Sequence, residues 1–242
     1  MKIAEIYELL DSISPFELQE EWDNSGLLVG DFSKEIKNIY LSVDIDSSLL
    51  DEVEEDSLLI THHPLIFKGL KKIDFSKYPS NLIKKMIEKN ISLISMHTNF
   101  DKTHLNKYVV KEVLGYDFIV SVEDFFCTFE VNETFESFAK RAAERLSLEK
   151  IRCVKSKDFI KTATITTGSG GDMISRVESD CFLTGDIKYH QALEAKENEI
   201  SLIDIGHFES ERFFPDCLAK ELQKVPLKVI ITNSKNPFTY IS

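Results

Sequence analysis

The chain has 242 residues, 43% of them hydrophobic and 10% aromatic, enough apolar material for a sizeable core and too much for a disordered protein. Acidic residues outnumber basic ones 41 to 29, and the formal net charge of −12 repels phosphate backbones and anionic lipid surfaces at long range. No nucleic-acid or membrane partner is therefore expected, although bound divalent ions would invert the field in one place.

No run of about 18 apolar residues appears, so no transmembrane helix is expected. The N-terminus reads MKIAEIYELLDSI, with Glu5, Glu8 and Asp11 breaking the apolar stretch that a secretory signal needs. A cytoplasmic setting is expected. Cys127, Cys153, Cys181 and Cys217 form no CxxC pair, which excludes zinc-finger and thioredoxin readings, and all four are expected to be buried, reduced thiols.

In chain order, Ile3, Ile6, Leu9 and Leu10 at helical spacing predict a helix over 2–11, ahead of Pro15. The segment WDNSGLLVG (22–30) reads as a turn followed by a buried strand, or else as one wall of a cleft through Trp22. KNIYLSVD (37–44) alternates as a strand, and Asp46 or Ser47 caps the next helix. LLIT (58–61) is a compact apolar strand. SNLIKKMIEKN places Leu82, Ile83, Met86 and Ile87 on one helical face. ISLISM (91–96) is a further strand, and a helix near 104–114 stops at Gly115.

The stretch 117–124 lacks helical periodicity and is read as a boundary. Beyond it, 125–131 is a strand and 134–146 a helix with Phe135, Phe138, Ala142 and Leu146 inward. Strands follow near 151–154, 162–166, 180–184 and 201–205, with helices near 171–178 and 187–198. A helix over about 208–223 and a strand over 227–232 close the chain. The class is α/β, with no low-complexity linker and no visible repeat.

The chemistry-bearing residues fall just after the expected strands, where open α/β sheets place their ligands. THHP (61–64) puts His62 and His63 at one strand end, on a segment stiffened by Pro64. There the two rings are able to reach different ions of a pair; the plain alternative is two surface or core histidines. SMHTNFD (95–101) supplies His97, Asn99 and Asp101, a set that suits a divalent transition metal or ordinary loop capping. In GHFESERFF (206–214), a helix would put His207 and Glu211 on one face, as two metal ligands or as part of a solvated surface.

TTGSGGDM (166–173) is neither a P-loop nor a dinucleotide fingerprint. Gly168, Ser169, Gly170 and Gly171 form either a backbone nest for an anionic group or a tight turn. In LTGDIKYH (183–190), Asp186, Lys188 and His190 line a cleft, or Asp186 caps the helix after it.

EEWDNSGLLVGD, ITHHPLIFKGLK, SMHTNFD, TTGSGGDM, FLTGDIKYHQALEAKE and DIGHFESERFF occur in this order over nearly the whole chain. The set resembles the family of GTP cyclohydrolase I type 2 homologues, also called Nif-three-like proteins. The resemblance implies two α/β domains with two metal ions in the cleft between them, and a ring-shaped homohexamer. It implies that His62 and His207 hold one ion, that His63 and Asp101 hold the other, and that Glu211 bridges both. It also implies the compact form without an extra inserted domain. Residues 1–124 plus 201–242 would form the domain carrying the metal ligands, and 125–200 an inserted second domain.

On this reading the chain is a metal-dependent hydrolase of a small molecule such as a nucleotide. Zinc, iron, manganese, cobalt and nickel all suit its ligands. His97 is the candidate for proton transfer, and Gly168, Ser169, Gly170 and Gly171 are candidates for holding an anionic part of the substrate. The alternatives are a metal-handling or metallocofactor-binding protein without turnover, and an interaction scaffold with structural ions.

Overall fold

The computed structural model describes residues 1–232 and 234–239. It divides into two compact units, Met1–Phe100 with the chain from Phe214 onward, and Asp101–Phe213. The strands are numbered β1 to β11 in chain order.

The first unit holds β1 (Gly26–Val29), β2 (Asn38–Ser42), β3 (Leu58–Thr61), β4 (Ser92–Ser95) and β11 (Lys228–Ile231). They form one sheet in the order β1-β4-β3-β2-β11. The four strands β11, β2, β3 and β4 run parallel, while β1 lies antiparallel against β4 with Gly26 opposite Ser95. Every residue of β3 and β4 is buried, because parallel strands linked by helical crossovers are covered on both faces. Tyr40, Leu59 and Leu93 pack on one face with Leu49, Leu50, Leu82 and Met86, which come from the helices Ser47–Glu52 and Ser80–Glu88, and with Val53, which caps the first. Asp46 caps the first of these by accepting the Leu49 N–H at 2.8 Å. Ile87, expected on the inward face of the second, is 63% exposed, because it falls beyond the edge of the stripe that Leu82, Ile83 and Met86 bury.

The second unit holds β5 (Ile119–Glu123), β6 (Phe126–Thr134), β7 (Arg152–Val154), β8 (Phe159–Ile165), β9 (Cys181–Thr184) and β10 (Ser201–Asp204), in the order β5-β6-β8-β9-β10-β7. Here β8, β9 and β10 are parallel, and the outer pairings are antiparallel. In β6, buried Cys127, Phe129 and Val131 alternate with more exposed residues, so one face is packed. Phe129 meets Phe138 of the helix Phe135–Arg145, with ring centroids 6.2 Å apart.

Two expectations are corrected here, the boundary and the last helix. The stretch read as a boundary, 117–124, contains β5, a partly exposed outermost strand whose hairpin partner β6 supplies the pairing that periodicity cannot reveal. The expected limits at 124 and 200 differ from those of the compact units, because β5 and β10 both pair into the six-stranded sheet. The helix expected over 208–223 is two helices, His207–Glu211 and Phe214–Glu221, parted where the chain passes back to the first unit.

Cys127, Cys181 and Cys217 are buried, and Cys153 is exposed, contrary to expectation, because β7 is the last strand of its sheet. Although the residue is exposed, partial desolvation of its sulfur and then the Asp204 charge push the Cys153 thiol up to about 11. Its alkylation at pH 8 is therefore expected to run roughly 10- to 100-fold slower than that of free cysteine, with the gap closing above pH 10. Mass-spectrometric counting of carbamidomethylated Cys153 across pH checks this.

Candidate functional site

In the first unit the candidate ligands follow the carboxyl ends of β2, β3 and β4. The pairing of β3 with β2 runs on past Thr61: the His62 N–H donates to the Ser42 carbonyl at 3.2 Å and the His63 N–H to the Val43 carbonyl at 3.0 Å. Both histidines are therefore held on an extended segment, as Pro64 requires of its predecessor. His62 is fully buried with Nδ1 2.9 Å from the Met96 carbonyl, and His63 Nδ1 stands 2.8 Å from an Asp44 oxygen. His97 follows β4, and its Nδ1 stands 2.8 Å from an Asp23 oxygen. Ligand atoms of His62, His63 and His97 all lie within 4.8 Å of one another.

Asp23 was not singled out by its sequence. Its side chain is fully buried and accepts from the Asn24 N–H at 2.7 Å, the Thr98 N–H at 3.1 Å and the Thr98 hydroxyl, besides facing His97. Burial pushes its carboxyl up, but the His97 hydrogen bond and charge, with Thr98 and Asn24, outweigh it and hold the group well below the usual carboxylate range. The register of β1 explains the meeting: an antiparallel strand that starts opposite Ser95 delivers residues 22–25 to the edge where β4 ends. Asn99 has a structural part, its amide nitrogen donating to the Ser14 carbonyl at 2.9 Å. Trp22 is 56% exposed, and its ring lies 6.3 Å from that of His97.

In the second unit the candidates follow β8, β9 and β10. His207 and Glu211 share the face of a short helix, with His207 Nε2 3.1 Å from a Glu211 oxygen. Two ligands about 2.1 Å from one ion at a tetrahedral angle stand about 3.4 Å apart, so this spacing suits a shared ion. His207 Nδ1 is 2.7 Å from Asp186, which takes up φ +54° just after β9, a conformation Asp tolerates. Asp186 is thus a partner of His207, and the N-cap position of the helix Tyr189–Glu197 is Lys188. His190 is exposed beside Tyr189. Asp101 is buried, with one oxygen 3.4 Å from the Thr167 hydroxyl, and its ligand atom lies within 4.8 Å of that of Glu211.

The glycine run serves this second set. Gly168 has φ +68°, and a Cβ there would come 2.1 Å from a Glu211 oxygen, so only glycine lets the carboxylate lie against the loop. The Gly168 N–H donates to Ser210 Oγ at 3.0 Å and the Gly170 N–H to Thr184 Oγ1 at 2.7 Å. Two amides of the expected nest are thereby engaged, and Ser169 is the exposed member of the run.

A ring that donates through Nδ1 presents the Nε2 lone pair, the arrangement that metal-ligating histidines use. His62, His63, His97 and His207 each have an oxygen acceptor at Nδ1. The residues therefore fit divalent metal ions by donor type and by orientation. Fold and donor sets together define an α/β protein of two sheets with candidate histidine and carboxylate ligands at the ends of the parallel strands.

Comparison with known proteins places this class. The family model described as Duf34/NIF3 (NGG1p interacting factor 3) matches residues 1–237, and the chain belongs to that family. It is 57% identical over 242 residues to a "GTP cyclohydrolase 1 type 2 homolog" of Campylobacter jejuni, covering 99% of this chain and 100% of that protein. It is 42% identical over 240 residues to a "GTP cyclohydrolase 1 type 2" of Helicobacter pylori, covering 99% of each. Among solved structures, a Staphylococcus aureus hypothetical protein superposes with a TM-score of 0.90 at 28% identity, covering 100% of this chain and 99% of that one. No helix among the described residues is long and apolar enough to cross a membrane.

Proposed function

We propose that the chain is a metal-dependent hydrolase acting on a nucleotide, and that His62, His63, Asp101, His207 and Glu211 hold two divalent ions. The observation that carries this reading is the oxygen acceptor at Nδ1 of each ligand histidine, an arrangement that a merely solvated histidine does not need. When bound, such ions supply Lewis acidity and a water nucleophile at neutral pH. The residues of the chain do the rest. His97, oriented by the buried Asp23 carboxylate, holds and passes a proton at Nε2. Gly168 gives Glu211 its place, and Ser169 is the member of the glycine run exposed to substrate.

The Helicobacter pylori relative's name, GTP cyclohydrolase 1 type 2, makes GTP the first substrate to test. The homohexamer implied by the resemblance belongs to the same proposal and is checked by sedimentation of native protein.

The test is metal analysis of protein purified without chelator, followed by GTP turnover, for the wild type, Asp101→Asn and Glu211→Gln. Two ions per chain are expected in the wild type. Each variant is expected to lose at least one ion and about 100-fold or more in turnover. Full metal content and full turnover in both variants overturn the assignment. Retained metal with no nucleotide turnover in the wild type turns it into a metal-handling protein.

A further inference from the structure

Two exposed aromatic side chains stand beside the histidine cluster of the first unit and have no part in its core. Trp22 is 56% and Phe67 41% exposed, with ring centroids 5.8 Å apart and planes tilted by 51°. Both present themselves to His97, at 6.3 and 6.2 Å, with interplanar angles of 77° and 80°. The two loops that carry them are tied together by the Asn24 side-chain amide, which donates to the Ile66 carbonyl. Asp23, next to Trp22, is anchored to the His97–Thr98 segment. The aromatic wall is thus fixed to the same frame as the candidate proton carrier.

The tilt matters. Rings already in contact at 51° leave no slot to intercalate into; they make an open corner against which one flat molecule lies. Two large aromatic faces left in water are unfavourable unless something covers them. Directly after Phe67 the chain reads KGLKK, and Lys68, Lys71 and Lys72 are all exposed. Three lysines within five positions form a local positive patch on a chain of net charge −12. A flat apolar wall next to a cationic strip is complementary to a planar heteroaromatic ring that carries an anionic tail.

We propose that Trp22 and Phe67 form the base-stacking wall of the substrate site, and that Lys68, Lys71 and Lys72 receive the phosphates of a nucleoside phosphate stacked there. This rests on the hydrolase reading above and adds the place on the chain where its nucleotide is held, with His97 at the edge of the stacked ring.

Trp22 is the only tryptophan in the chain, so its emission reports on this wall alone. The experiment titrates metal-loaded native protein with guanosine, GTP and inorganic tripolyphosphate, with free tryptophan amide as the absorbance control. Guanosine and GTP are expected to quench Trp22; tripolyphosphate alone is not. Phe67→Ala is expected to weaken guanosine binding about tenfold, and Trp22→Ala to weaken GTP binding similarly by calorimetry, both with unchanged metal content. Replacing Lys68, Lys71 and Lys72 together by Gln is expected to weaken GTP several-fold and leave guanosine unaffected.

Unchanged guanosine affinity in Phe67→Ala overturns the wall, as does Trp22 emission inaccessible to acrylamide in the native protein. Equal loss of GTP and guanosine affinity in the lysine variant overturns the phosphate strip. GTP turnover without any Trp22 quenching defeats this inference and leaves the hydrolase standing. Quenching without turnover does the reverse.

Discussion

Gly185→Ala is expected to destabilise the second unit by about 3 kcal/mol, near the upper end for adding one methyl group to a packed interior. Gly185 directly follows β9, and its Cβ would stand 2.6 Å from the Gly168 carbonyl oxygen, 2.6 Å from the Gly206 carbonyl carbon and 2.6 Å from the His207 nitrogen. All three are backbone atoms, so no side chain can rotate away. The Gly185 N–H also donates to the Gly168 carbonyl at 2.8 Å, and a displaced loop gives that bond up. The cost therefore falls where Gly168, Gly185 and Gly206 crowd together after three parallel strands. His207 and Glu211 are expected to move with them. A drop in melting temperature of roughly 10 °C measures the first effect, and weakened metal retention the second. Gly69→Ala is the control: nothing lies within 4 Å of its Cβ, and a change within about 0.5 kcal/mol is expected. A Gly185→Ala protein as stable as Gly69→Ala would contradict the packing described.

Asp23→Ala is expected to cost about 3 kcal/mol and to lower turnover about 10- to 100-fold, since it removes the acceptor shared by His97, Thr98 and Asn24. The pH dependence has a definite sign. The folded carboxyl is held below its ordinary value by the His97 and Thr98 hydrogen bonds, which outweigh burial, whereas in the unfolded chain it titrates near 4. A depressed carboxyl stabilises the fold fully above the unfolded value, and the contribution fades as pH falls through that value toward the folded one. The stability gap between the wild type and Asp23→Asn is therefore expected to be level from pH 8 to 5 and to shrink below about pH 4. Urea unfolding of both proteins across that range checks it; a gap that widens in acid would mean that Asp23 is protonated in the fold.

The two arguments concern residues of different visibility. His62 and His63 stand out in the sequence because two adjacent imidazoles follow the apolar strand LLIT, on a segment stiffened by Pro64. Asp23 lay in a segment that reads as an ordinary turn. Its importance depends on β1 being antiparallel and starting opposite Ser95, a pairing between residues about seventy positions apart that no local pattern encodes. The glycine run 168–171 drew notice by composition, yet isolated Gly185 is the one hemmed in by backbone atoms alone, because close backbone approach is a property of three loops at once. Trp22 could be read either way from its neighbours; only the fold shows it exposed beside Phe67.

The amino-acid sequence by itself determined the α/β class, nearly every strand, the family, and which histidines and carboxylates are candidate ligands. These follow from apolar periodicity, from donor chemistry and from ordered motifs, all of which are local or compositional. Tertiary structure alone decided that β5 and β10 join the six-stranded sheet, that Asp23, Asp44 and Asp186 face the imidazoles, and that three glycine backbones meet behind Glu211. Sheet pairing and hydrogen-bond partners across long separations are fixed by the summed packing of a whole unit, which no short window of residues contains.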